Sequence, residues 1–153
     1  MFTKCMAALL TLILATTVSA AELGAATFSD LHARPTSGKI GIAFFTVTTA
    51  KNDSITAVSS DCCDAVELHR SEKINGVMSM RRIGELSLKK NTPMRVQPDA
   101  TGGEHLMLIG LKQPLEESKE VAVTFTFKKA GTQTVSFPIL ADKPPAADTE
   151  HHH

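Results

Sequence analysis

Distributed cysteines are missing from this chain. Of its three, Cys5 falls in an apolar leader, and the other two, Cys62 and Cys63, are neighbours. Adjacent cysteines cannot staple distant parts of a fold, so stability has to come from packing rather than from a disulfide framework. An excess of one charge is missing too, since sixteen acidic residues balance sixteen basic ones. No basic stripe marks a nucleic-acid partner, and no basic amphipathic helix marks a membrane surface. There is no internal repeat and no long segment of helical period. No Ser-His-Asp or paired-carboxylate pattern carries a local signature of hydrolysis. Glu67 and His69 do share a strand face, but that pair alone defines no reaction, and the chain reads as a non-enzyme.

The first residues have the form of a secretory leader. Lys4 supplies the positive start, "CMAALLTLILATTV" is the apolar stretch, and small residues precede a cleavage point after Ala20. The apolar stretch is shorter than the roughly 20 residues a bilayer span needs. Cys5 lies inside it rather than just after a cleavage point, so no lipid-anchor signal is read there. The division that follows is a signal peptide over residues 1–20, one β-domain over 21–140 and a Pro- and Ala-rich tail over 141–153. The tail ends in three histidines that read as residue of a purification tag or, if native, as a capture point for Cu(II). After cleavage the domain is expected in the periplasm, without membrane insertion and as a monomer.

What the domain does have is strand patterning. "KIGIAFFTVTT" is rich in β-branched and aromatic residues. "AVELH" alternates, and "NGVMSMRRI" opens on Asn75-Gly76, a strong hairpin signal. "PMRVQP" and "EHLMLIGL" follow. In "VAVTFTF" the residues Val121, Val123, Phe125 and Phe127 share one face. "TQTVSFPI" closes the series. "LKQPLEESKE" has room for one helical turn, limited by Pro114. Short strands with turns between them predict an all-β sandwich or barrel.

The chemistry lies in one window. Met78, Met80, Met94 and Met107 all fall within about thirty residues, with His69 flanking that window and His105 inside it. Residues two apart on a strand share a face, so Met78 pairs with Met80 and His105 with Met107. A hairpin and a neighbouring strand can then gather His69, Met80, His105 and Met107. Two imidazoles and two thioethers suit a soft ion such as Cu(I). Methionine also keeps its metal affinity where exported thiols oxidise. The same residues can be simple core packing, because methionine is a common gap-filler. The residues alone leave both readings open.

The pattern resembles the PCuAC family of periplasmic copper chaperones, whose motif is a histidine, ten residues, a methionine, a spacer, then His-x-Met. Here His69 is followed by ten residues and Met80, and His105-Leu106-Met107 supplies the second half. "AVELHRSEKINGVMSMRRI" and "HLMLIGLKQPL" carry the likeness, with "SDLHARPTSGKIGIAFFTV" and "VAVTFTFKKAGTQTVSFPI" flanking them. The resemblance implies a cupredoxin-like Greek-key β-barrel or sandwich. It implies one exposed Cu(I) site made by His69, Met80, His105 and Met107. It also implies delivery of copper to the copper-site subunit of cytochrome oxidase, directly or with a thioredoxin-like copper protein of the Sco type.

Three departures set this chain apart from the family pattern. Twenty-four residues separate Met80 from His105, against a more usual twenty-one, with the extra length in "QPDATGGEH". His32 stands where the family often has tryptophan, and is an auxiliary candidate beside Met78. Cys62-Cys63 precedes the ligand strand and is not counted as a ligand, because neighbouring cysteines bridge only with backbone strain. A blue electron-transfer centre needs a cysteine thiolate beside two histidines, which the pattern does not provide. Copper storage or resistance, and a metal-free β-sandwich interaction module, remain as alternatives to delivery.

Overall fold

Alternation of apolar and polar residues over short runs buries one face of each strand, and ten strands form. The computed structural model describes residues 26–141, so the leader and the terminal histidines lie outside the described residues. The strands are β1 (Thr27–Ala33), β2 (Ile40–Thr48), β3 (Asp53–Ser59), β4 (Ala65–Ile74) and β5 (Val77–Ile83). They continue as β6 (Leu86–Leu88), β7 (Met94–Val96), β8 (Gly102–Ile109), β9 (Glu120–Phe127) and β10 (Gly131–Pro138). No helix occurs among the described residues, and "LKQPLEESKE" runs as turns anchored by a bridge between Thr36 and Leu115.

Two antiparallel sheets result. The larger runs β1-β2-β8-β4-β5, with β7 also on β2, and the smaller runs β10-β9-β3-β6. Because the sheets stay separate, the architecture is the sandwich form of the expected fold and not a closed barrel. The core lies between them. Val121, Val123, Phe125 and Phe127 are all buried on one face of β9, as their alternation predicts. Phe125 is its centre, with ring centroids 4.8 Å from Phe28, 5.1 Å from Phe45 and 6.2 Å from Phe137.

The placement of β8 positions the functional residues. It enters the larger sheet between β2 and β4, far from both in sequence. Leu106 and Leu108 of β8 and Val66 and Leu68 of β4 face the core. By strand parity, the histidines and methionines of the same strands face outward.

Candidate metal centre

The outer face is built from three adjacent strands whose register is well defined. β4 and β5 form a hairpin through Asn75 and Gly76, with φ of 50° and 82°. Two consecutive positive φ values are those of the tight primed turn that fits strand twist. β4 runs five residues beyond His69, to Ile74, so His69 sits in mid-strand and not at a strand end. In β8, His105 pairs directly with His69, and Met107 pairs with Glu67. In β5, Arg82 pairs with His69, and Met80 pairs with Ser71.

The longer spacer does not disturb this register. Its residues close into a turn in which the Asp99 carboxylate accepts bonds from the Thr101 amide at 2.7 Å and the Thr101 hydroxyl at 2.6 Å. The turn leads into Gly102, whose φ of 128° and close approach to the Ser71 carbonyl require the absence of a side chain. One pair along from the histidines, the Arg70 guanidinium grips the Glu104 carboxylate, its Nε donating at 2.8 Å.

The two imidazoles lie with ring centroids 5.9 Å apart and planes tilted by 56°. His105 is only 2% exposed. Neither of its ring nitrogens has a hydrogen-bond partner, and neither does Nδ1 of His69, although all three atoms are buried. Buried polar atoms are nearly always satisfied, so three orphans on two facing rings single this face out as the candidate site. Burial holds the His105 pKa below the ordinary value, the nearby His69 charge adds to this, and an approach to the Gly103 backbone, too loose in geometry to count as a hydrogen bond, opposes them. A neutral ring is the form that ligates metal.

The outer face also holds charge. His69 Nε2 lies 2.8 Å from Glu67 Oε2, and Arg82 Nε lies 3.6 Å from Glu67 Oε1. The hydrogen bond from His69 first, and the Arg82 charge after burial's opposing effect, hold the Glu67 carboxyl below the usual range.

The methionines divide by position. Met107 is half-buried beside the imidazoles, two residues from His105 on the same face. Met80 and Met78 are exposed on β5, the sheet's edge strand, 57% and 49% respectively. Met80 is diagonal to His69, while Met78 pairs with Lys73, one step further out. Met94, on β7, packs against the core instead. Met80 and Met107 flank the imidazole pair on opposite sides, four levels and two strands apart, or ~16 Å between Cα atoms on a flat sheet. On a flat sheet two extended thioether arms and an ion between them fall short of that span, so both sulfurs meet one ion only if β5 curls inward. Register therefore brings His69, His105 and Met107 together and leaves Met80 at the margin.

His32 lies across β2 from this group. Its Nδ1–H donates to the Asp30 carbonyl at 3.0 Å, and its ring rests 5.1 Å from that of Phe44. Phe44 pairs with His32 and stands between it and β8. Cys62 and Cys63 sit in the turn before β4 as free thiols with sulfurs 3.3 Å apart. Burial, then the bond to Cys62, pushes the Cys63 thiol up to about 12, so it carries no thiolate at neutral pH. Among the described residues no three His, Cys, Asp or Glu side chains gather in metal-binding geometry. Sequence reasoning did not single out Glu67 and Arg82 as parts of the site; their only signal was the shared face of Glu67 and His69.

Comparison with known proteins places the architecture first in a class. The fold is that of PCuAC domains. The copper-bound PCuAC domain from PmoF2 superposes with a TM-score of 0.61 at 18% identity, covering 76% of this chain and 93% of that domain. Cu(I)-bound DR1885 from Deinococcus radiodurans gives 0.55 at 19% identity, over 74% of this chain and 78% of that one. The particular family is narrower: the chain belongs to the LpqE-like family (Putative lipoprotein LpqE-like), matched over residues 26–139. It is also 28% identical over 86 residues to Putative lipoprotein Lxx21020 of Leifsonia xyli subsp. xyli. That match spans 56% of this chain and about half the length of the relative, 50%. Family and relative are both described as lipoproteins, which places the chain with envelope-associated proteins outside the cytoplasm. The leader and its Cys5 lie outside the described residues.

Proposed function

We propose that this protein is a periplasmic copper chaperone that holds one Cu(I) ion on the outer face of β4 and β8 and passes it on without catalysis. The observation that carries the reading is the His69–His105 pair, with its three buried, unpartnered nitrogens. Met107 supplies sulfur from beside the pair. Met80 supplies it from the hairpin arm, which has to curl inward over Ser71 and Gly103 to do so. β5 is exposed along nearly all its length, and sheet twist already rotates it relative to β4. A set of neutral ligands with one on an exposed arm suits delivery, because an acceptor's ligands can replace these stepwise.

The metal preference follows from the donors. Thioethers favour Cu(I) and give little to a borderline ion such as Zn(II). In competition under reducing conditions Cu(I) should displace Zn(II), and equal or tighter zinc binding contradicts the ligand set. Replacing each methionine by leucine separates ligands from packing, since that swap costs under about 1.5 kcal/mol of stability. Met107→Leu and Met80→Leu should each weaken Cu(I) binding. Met78→Leu and Met94→Leu should leave it near the parent value. The reverse order overturns the choice of ligands.

The recipient we propose is the copper centre of cytochrome oxidase, reached through its copper-site subunit or a Sco-type thioredoxin-like protein. A host lacking the protein should load its oxidase poorly when copper is scarce, and added copper should restore loading. Normal loading under scarcity removes the delivery role and favours storage or resistance. Function that survives loss of all four ligands favours a metal-free interaction module.

A further inference from the structure

The hydrogen bond between Glu67 and His69 says which nitrogen of His69 meets the ion. We infer that Glu67 is a positioning residue: by accepting the Nε2 proton of His69, it leaves the Nδ1 lone pair as the copper donor. This deepens the copper reading above and rests on it.

A carboxylate can only accept, so at the observed 2.8 Å the proton of a neutral His69 lies on Nε2. Nδ1 then carries the lone pair, and Nδ1 is the atom that is buried without a partner. The second carboxylate oxygen faces Arg82 Nε at 3.6 Å. The Glu67 carboxylate thus bridges the His69 ring and the Arg82 guanidinium. Glu67 is two residues from His69 on β4, and Arg82 is its direct cross-strand neighbour on β5. A ring held this way cannot flip to offer Nε2 without breaking the bond to Glu67. The arrangement matches the general rule that a ligating histidine gives its other N–H to a carboxylate that fixes tautomer and orientation. The donor set becomes His69 Nδ1, a nitrogen of His105, and the thioethers.

The test uses the full chain, 15N-labelled and metal-free, with long-range 1H–15N correlation of the imidazoles. His69 should show a protonated Nε2 and an unprotonated Nδ1. Glu67→Leu removes the acceptor, and the ring should populate both tautomers. Cu(I) affinity should then fall about 10- to 100-fold, the usual cost of losing such a partner. Glu67→Gln keeps an acceptor oxygen and should recover part of that loss, which a merely structural role would not do. Two results overturn the inference. One is an Nδ1–H tautomer in the parent. The other is Cu(I) binding by Glu67→Leu that equals or exceeds the parent, which would show the carboxylate competing with copper for Nε2. A parent that takes up no Cu(I) overturns the copper reading, whereas an Nδ1–H tautomer in a parent that does bind Cu(I) overturns the positioning role alone.

Discussion

His105→Leu should yield a protein that is more stable than the parent and no longer holds Cu(I). The side chain is 2% exposed and both ring nitrogens are buried without partners. Each unsatisfied buried polar group costs about 1–3 kcal/mol, and replacing it by an apolar group of similar size removes that cost. Leucine in place of His105 would also extend the apolar contacts beside Met107. Chemical denaturation should therefore show a gain of about 1–3 kcal/mol. The gain should widen in acid. The folded pKa of His105 is depressed, so the unfolded chain binds more protons, and the parent loses stability as pH falls through the unfolded value near 6.5. The variant lacks this loss. Its Cu(I) affinity should drop by more than the ~100-fold typical of a missing outer-shell partner. A less stable variant would mean that the nitrogens of His105 are already satisfied. Unchanged Cu(I) affinity would remove His105 from the site.

Gly102→Val should do the opposite and cost both fold and site. At φ of 128° any side chain is strained, and a Cβ there would lie 2.1 Å from the Ser71 carbonyl oxygen. The obstructing atoms belong to the β4 backbone, which cannot rotate away as a side-chain tip can. The two strands must separate three residues from His105, at the Glu72–Gly102 pair that ends the ladder carrying His69 and His105. Strain at such positions costs about 1–3 kcal/mol each, and the clash adds to it, so the melting midpoint should fall by on the order of 10 °C. Gly76→Ala is the matched control. Its φ is also positive, at 82°, but nothing lies within 4 Å of the new Cβ, so only the ~1–2 kcal/mol conformational cost applies. Equal losses in the two variants would mean that strand contact at Gly102 is unimportant.

Much of this architecture was legible because alternation and turn chemistry are local. The faces of β9, the Asn75-Gly76 hairpin and the shared face of His105 and Met107 follow from residue spacing alone. β3 and β6 escaped notice. β6 is three residues long, and β3 carries turn-type residues at both ends, so neither forms a run of alternation. The length of β4 was also hidden. Arg70, Glu72 and Lys73 break the alternation that runs to His69, yet ion pairs with Glu104 and Arg81 hold this polar stretch in the sheet. The insertion of β8 between β2 and β4 depends on long-range register, which no local pattern encodes. For that reason sequence reasoning grouped four ligands as equals, whereas the register separates Met80 from Met107. Glu67 stayed in the background because its role appears only once His69 and Arg82 are placed around it.

The most direct test of the copper site is a Cu(I) titration read by X-ray absorption, on the chain with His151, His152 and His153 replaced by alanine. One Cu(I) per chain, with both nitrogen and sulfur in its coordination shell, is the result expected from His69 and His105 flanked by Met107 and Met80. No Cu(I) uptake, or an ion bound by nitrogen and oxygen without sulfur, would contradict it.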